Sequence, residues 1–224
     1  MKTETINFET QAGATTAFVA QPETEREPAA VILIHEWWGI NDHVRDLAGR
    51  YAKEGFLCVA PDLYRGQVAS DADEASKLMQ ALPLDDGINI INHALEETTG
   101  RYGVSKIAIT GYCMGGTFAL RAACEVDALG AAAPFYGDIP DEAALSRLKV
   151  STLFIAGARD NWITPEKVEG LREAARKYDL PVEVVSYDAD HAFFNDTRPE
   201  VYNAEAATDA WQRVLKLFRE RLLD

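Results

Sequence analysis

Short apolar runs alternate along the chain with longer segments whose apolar residues recur at helical spacing. The first two runs, near Thr5–Phe8 and Thr15–Val19, read as a pair of strands turning around Gly13. The stretch from Ala30 to His35 is almost continuously apolar, as expected of a strand buried on both faces. A helix follows in which Val44, Leu47, Ala48 and Tyr51 share one side, with Asn41 or Asp42 as its cap. Phe56 to Ala60 is the next strand, stopped by Pro61. Ile88, Ile91 and Leu95 mark a helix ahead of a strand at Lys106–Thr110. Another helix is expected to begin after Gly116, before a strand at Leu129–Phe135. Val150–Ala156 is a strand, and Pro165 suits the first position of the helix after it. Val182–Tyr187 is the last strand, and Ala204–Leu223 is a long closing helix.

Strands alternating with helices predict an α/β fold with a mostly parallel central sheet, helices on both faces and an antiparallel N-terminal edge. In such sheets ligands bind beyond the carboxyl ends of the strands, so chemistry is to be sought in the loops there.

Composition narrows the picture. No repeat or Pro/Gly/Ser linker divides the 224 residues, and the most polar stretch, Gln67 to Glu74, is too short to separate two units. Residues 1–224 are therefore expected to form a single domain with a sizeable core. The net charge of -14 would repel phosphate backbones and anionic headgroups, which argues against nucleic-acid or membrane partners. The opening MKTETINFETQAGATTAFVA lacks the apolar stretch of a secretory signal. Cys58, Cys113 and Cys124 form neither a disulfide framework nor a metal-ligand spacing. A cytoplasmic protein with free thiols, without metal or organic cofactor, is the expectation. Its state is a monomer or small homo-oligomer, and its partner a small molecule.

The strongest local signal is Gly111-Tyr112-Cys113-Met114-Gly115-Gly116, which follows an apolar strand and opens a helix. This is the context of the G-x-S-x-G nucleophile elbow of α/β-hydrolases, with cysteine in place of serine. The glycines are needed because the nucleophile sits on a sharp, strained turn that leaves no room for side chains two residues away. At a helix start the positive end of the dipole favours thiolate, which predicts a reactive Cys113.

A nucleophile needs a base, and triads of this fold run nucleophile, acid, histidine along the chain. Of His35, His43, His93 and His191, only His191 follows Cys113, and it lies just past the last strand. Asp160 lies beyond the Val150–Ala156 strand, where an aspartate can hold the imidazole tautomer. Asp188 and Asp190 compete for that role, although their nearness to His191 in the chain would require a sharp fold-back.

The loop His35-Glu36-Trp37-Trp38-Gly39 occupies the place from which such folds supply one oxyanion-hole N–H. The backbones of Trp37 and Met114 are assigned to it. Trp38 is a candidate substrate contact, with core or rim packing as the alternative, and spacing alone gives Glu36 no definite task.

Taken together, HEWWG, APDLY, GYCMGG, GARD and DHAF, in that order, make the chain resemble the dienelactone hydrolase family from about residue 15 onward. The resemblance implies hydrolysis of an enol-lactone through a thioester, with Cys113, Asp160 and His191 as nucleophile, acid and base. It also implies that Glu36 interacts with the cysteine at rest and takes the thiol proton when substrate binds. A latent thiolate of this kind resists stray oxidation. Family members acting on dienelactone hold its carboxylate with arginines. Here the candidates are Arg198, in the run after His191, and Lys77, in Ser76–Gln80. A general short-chain carboxylesterase and a non-catalytic binding protein of the same fold are the competing functions. A thiol redox protein would need a resolving cysteine closer to Cys113 than Cys124.

Overall fold

The computed structural model describes residues 1–23 and 29–223. Along the chain the elements are β1 (Lys2–Thr10), β2 (Gly13–Gln21), β3 (Ala30–Ile34), α1 (Asp42–Lys53), β4 (Leu57–Pro61), α2 (Ala72–Ala81), α3 (Leu84–Tyr102) and β5 (Ile107–Tyr112). They continue as α4 (Met114–Glu125), β6 (Leu129–Phe135), α5 (Glu142–Leu145), β7 (Ser151–Gly157), α6 (Pro165–Tyr178), β8 (Val182–Tyr187) and α7 (Ala204–Leu222).

One eight-stranded sheet runs in the order β1-β2-β4-β3-β5-β6-β7-β8. β1 pairs antiparallel with β2, and β2 antiparallel with β4, while every later pairing is parallel. The antiparallel edge and parallel centre match the pattern read from the apolar runs. β3 shows why its sequence is uniformly apolar. Ala30, Ile32 and Ile34 face a core layer with α3, α4 and α6, while Val31 and Leu33 face the layer with α1 and α7. A strand covered on both sides has no position left for a polar residue.

Helix ends follow ordinary capping chemistry. Asn41 accepts from the Val44 N–H at 3.1 Å, and Pro165 takes the first turn of α6 behind the Thr164 cap. Two helices fall outside the sequence reading. α2 starts inside the polar stretch, with Asp71 capping the Glu74 N–H at 2.8 Å and Glu74 reaching back to the Ser70 N–H at 2.8 Å. Ala75 is its one fully buried residue, with Leu78, Met79 and Leu82 partly buried at helical spacing beside it, a stripe the polar stretch at its start concealed. α5 is a single short turn. α4 begins at Met114 rather than after Gly116, because Gly115 and Gly116 form its first turn against the sheet. Among the described residues no helix is long and apolar enough to cross a membrane.

Candidate active site

Cys113 sits between β5 and α4 with φ 56° and ψ −117°, in the left-handed half of backbone space that L-residues avoid. Its N–H donates to the Phe135 carbonyl at 3.1 Å, which ties the bend to the end of β6. The flanking glycines are steric requirements. A Cβ on Gly111 would stand 2.2 Å from the Gly115 carbonyl oxygen, and one on Gly115 would stand 2.3 Å from that of Ile34. The turn is thus closed by backbone packed on backbone.

The surroundings of Cys113 override the helix end and keep the thiol from ionising. Burial pushes the Cys113 thiol up to about 12, and the negative charges of Glu36 and Asp160 push the same way. The Met114 N–H and the Arg198 charge oppose this with smaller effect. Desolvation disfavours the charged form more than one helix end favours it, so the resting thiol stays protonated.

His191 follows β8 and meets Asp160 from the end of β7, with Nδ1 2.6 Å from Oδ2. The other oxygen of Asp160 accepts from the Trp162 and Ile163 N–H groups at 2.7 and 2.9 Å. Burial raises the Asp160 carboxyl, but the hydrogen bonds from His191 and these amides outweigh it and hold the group below its usual value. A charged, fully engaged Asp160 requires Nδ1 to carry the proton, which leaves Nε2 as the acceptor. That Nε2 is buried and has no hydrogen-bond partner. Asp188 and Asp190 are held by Arg159 instead, the latter at 3.2 Å. The competition for His191 is therefore resolved by an arginine.

The loop after β3 is fixed by His35. The Leu63 N–H donates to its Nε2 at 3.1 Å, so the proton of the neutral ring is on Nδ1, which donates to the Glu36 carbonyl at 2.6 Å. Burial lowers the pKa of this histidine, which preserves the neutral form that both bonds need. Glu36 itself is buried, and its Oε2 accepts from Asn195 Nδ2 at 2.7 Å. The sequence reading expected Glu36 to engage the cysteine at rest. Its hydrogen bond runs to Asn195, and it reaches Cys113 through its charge. Burial raises the carboxyl above its ordinary value, against the Asn195 hydrogen bond and the charges of Arg198 and His191.

Asn195 escaped the sequence reading, because its contact with Glu36 spans 159 residues and an asparagine in a loop ordinarily signals a turn. Its Oδ1 accepts from the Thr197 N–H at 3.0 Å and from the Thr197 hydroxyl at 2.6 Å, which aims the amide nitrogen at Glu36. Tyr136 was also missed. It follows β6 with φ 36°, its ring lies 5.1 Å from that of His191, and its buried hydroxyl has no hydrogen-bond partner.

Cys113, Met114, Tyr136 and His191 line one cavity of about 250 Å³. Trp37 and Trp38 are half-buried and do not line it. Trp37 packs edge-on against Trp162, which does line it, with centroids 6.1 Å apart. Trp38 packs on Trp37, and its carbonyl accepts from the Ala69 N–H at 2.9 Å. Trp38 thus packs at the rim of the site. Arg198 also lies off the cavity, its Nε bonded to Glu200 at 2.8 Å, and Lys77 is exposed on α2.

The profile of the dienelactone hydrolase family matches residues 15–222. A provisionally named carboxymethylenebutenolidase of Aquifex aeolicus is 30% identical over 97% of this chain and 98% of its own length. The corresponding protein of Escherichia coli K12 is 33% identical over 91% of this chain and 82% of its own. A crystal structure from Klebsiella pneumoniae, provisionally identified as a dienelactone hydrolase, superimposes with a TM-score of 0.88 at 29% identity, covering 98% of this chain and 100% of that one. The chain belongs to the dienelactone hydrolase family and is an α/β-hydrolase of the carboxylic ester hydrolase class.

Proposed function

We propose that this protein hydrolyses a carboxylic ester or enol-lactone through a thioester on Cys113. The observation that carries the reading is the pairing of a strained elbow cysteine with an unpartnered His191 Nε2 in the wall of the same cavity. Glu36 takes the Sγ proton once substrate displaces its carboxylate from Asn195. Its raised pKa makes it a better acceptor for that proton than an ordinary carboxylate. The thiolate attacks the carbonyl carbon, and the Trp37 and Met114 N–H groups receive the developing oxyanion. Collapse breaks the bond to the leaving oxygen, which takes the proton from Glu36. His191 Nε2 then removes a proton from the water that attacks the thioester. The carbon–sulfur bond breaks, and that proton returns to sulfur. Asp160 holds the tautomer throughout and stabilises the imidazolium.

Quenched-flow mass spectrometry of the protein with a 4-nitrophenyl ester is the direct test. The expected result is an acyl adduct on the peptide containing Cys113, formed before steady state. Full turnover by Cys113→Ala would refute the assignment.

A further inference from the structure

The cavity beside Cys113 is walled mainly by Met79, Leu82, Leu84, Phe118, Trp162 and Ile163. Its remaining polar lining, besides the groups already given roles, is Thr117 and Asp138. Thr117 is occupied, its hydroxyl accepting the Asp138 N–H at 2.8 Å. The Asp138 carboxylate is paired with Lys167 at 2.7 Å. Among the described residues no lysine or arginine lines the cavity.

A substrate carboxylate entering this space would lose water to apolar walls, and the arginine whose charge reaches Cys113, Arg198, stands off the lining and is already paired with Glu200. The substrate would also approach the carboxylates of Glu36 and Asp160, in a protein of net charge -14. An apolar group of the same shape gains from the same walls. Resting on the reading of this site as an ester hydrolase, the geometry points to an uncharged ester or lactone with an apolar acyl or alcohol group as the substrate. Carboxylate-bearing lactones, which family members acting on dienelactone hold with arginines, are disfavoured by the lining. The cover of the cavity comes from α2 and the start of α3, through Met79, Leu82 and Leu84.

The test uses two 4-nitrophenyl esters of equal shape, the 6-methylheptanoate and the monoadipate, which differ by an isopropyl group against a carboxylate. The kcat/KM for the uncharged ester is expected to exceed that for the anion by about a hundredfold or more, the scale set by bringing an unpaired charge into apolar surroundings. Met79→Arg, which adds a guanidinium to the wall, should narrow that gap by about tenfold or more, while Met79→Gln should not. A monoadipate turned over as well as its isostere would overturn the proposal. Calorimetric binding of the matching anilides reads the preference without chemistry. Tighter binding of the uncharged anilide supports the substrate class even if neither ester is cleaved, a result that would count against the hydrolase reading instead. Equal binding of the two anilides overturns it.

Discussion

Two buried thiols of the same sheet, Cys58 within β4 and Cys113 at the end of β5, show what separates scaffold from site. Both are raised by desolvation above the ordinary thiol value. Around Cys58 burial is the whole cause, and the neighbours are the apolar residues of the layer with α1 and α7. Around Cys113 the backbone is strained, and two nearby residues share the feature, Tyr136 at φ 36° and Ala192 at φ 63°. Tyr136 Oη and His191 Nε2 are buried there without partners. Burial alone does not mark a reactive cysteine. What sets Cys113 apart is that strain falls on the cysteine itself and buried unpartnered atoms of Tyr136 and His191 line the same cavity.

The sharpest way to break this contrast is to exchange the roles of the two thiols. Cys113→Ala should lower kcat by about 10⁴-fold or more, and His191→Ala by a comparable amount, since members of such a unit fail together. Asp160→Asn should cost somewhat less, about 10³- to 10⁴-fold, through loss of the tautomer. Near-full activity of Asp160→Asn alongside a dead Asp188→Asn would reassign the acid.

Glu36→Gln comes next. It should abolish the acylation burst in stopped-flow hydrolysis of an activated ester while moving Tm by only a few degrees. The direction of the stability change follows from the raised carboxyl of Glu36. Below the ordinary carboxylate range both folded and unfolded states hold the proton, and wild type and variant should melt alike. As pH rises through that range the unfolded state ionises first, so wild type loses stability and the variant gains relative to it. Wild-type acylation by Glu36→Gln would make Glu36 structural and leave activation to His191 alone.

Asn195→Ala has a smaller expected effect, less than about tenfold in kcat, since its hydrogen bond to Glu36 is already broken when the thiol proton moves. Its diagnostic is the pH profile. Without the amide donor the ionised Glu36 of the free enzyme is less stabilised, so the acid limb of kcat/KM should move to higher pH. An unmoved limb with lowered stability would reduce Asn195 to loop packing. The smallest effect belongs to the scaffold thiol. Cys58→Ala should leave kcat/KM unchanged and cost about 1–2 kcal/mol through lost packing. Iodoacetamide in the presence of a substrate analogue should label Cys113 and spare Cys58. Equal labelling of both would erase the distinction.

Local and periodic features settled much in advance. The β-branched runs at Ala30–Ile34 and Ile107–Thr110, the cap at Asn41 and Pro165 at a helix start act through neighbours in the chain, so the sheet and most helices were legible. The glycine spacing around Cys113 likewise encodes a turn that only Cβ-free residues can close. α2 was passed over because it starts inside the most polar stretch of the chain, although Ala75, Leu78, Met79 and Leu82 recur at helical spacing. What only the tertiary structure decided is how distant groups meet. Arg159 draws Asp188 and Asp190 away from His191, Asn195 claims Glu36, and desolvation holds the Cys113 thiol protonated against the helix end. These outcomes depend on solvent exclusion and on contacts between residues far apart in the chain. Composition and spacing carry no record of either, which is why elements could be read from the chain and the electrostatics of the site could not.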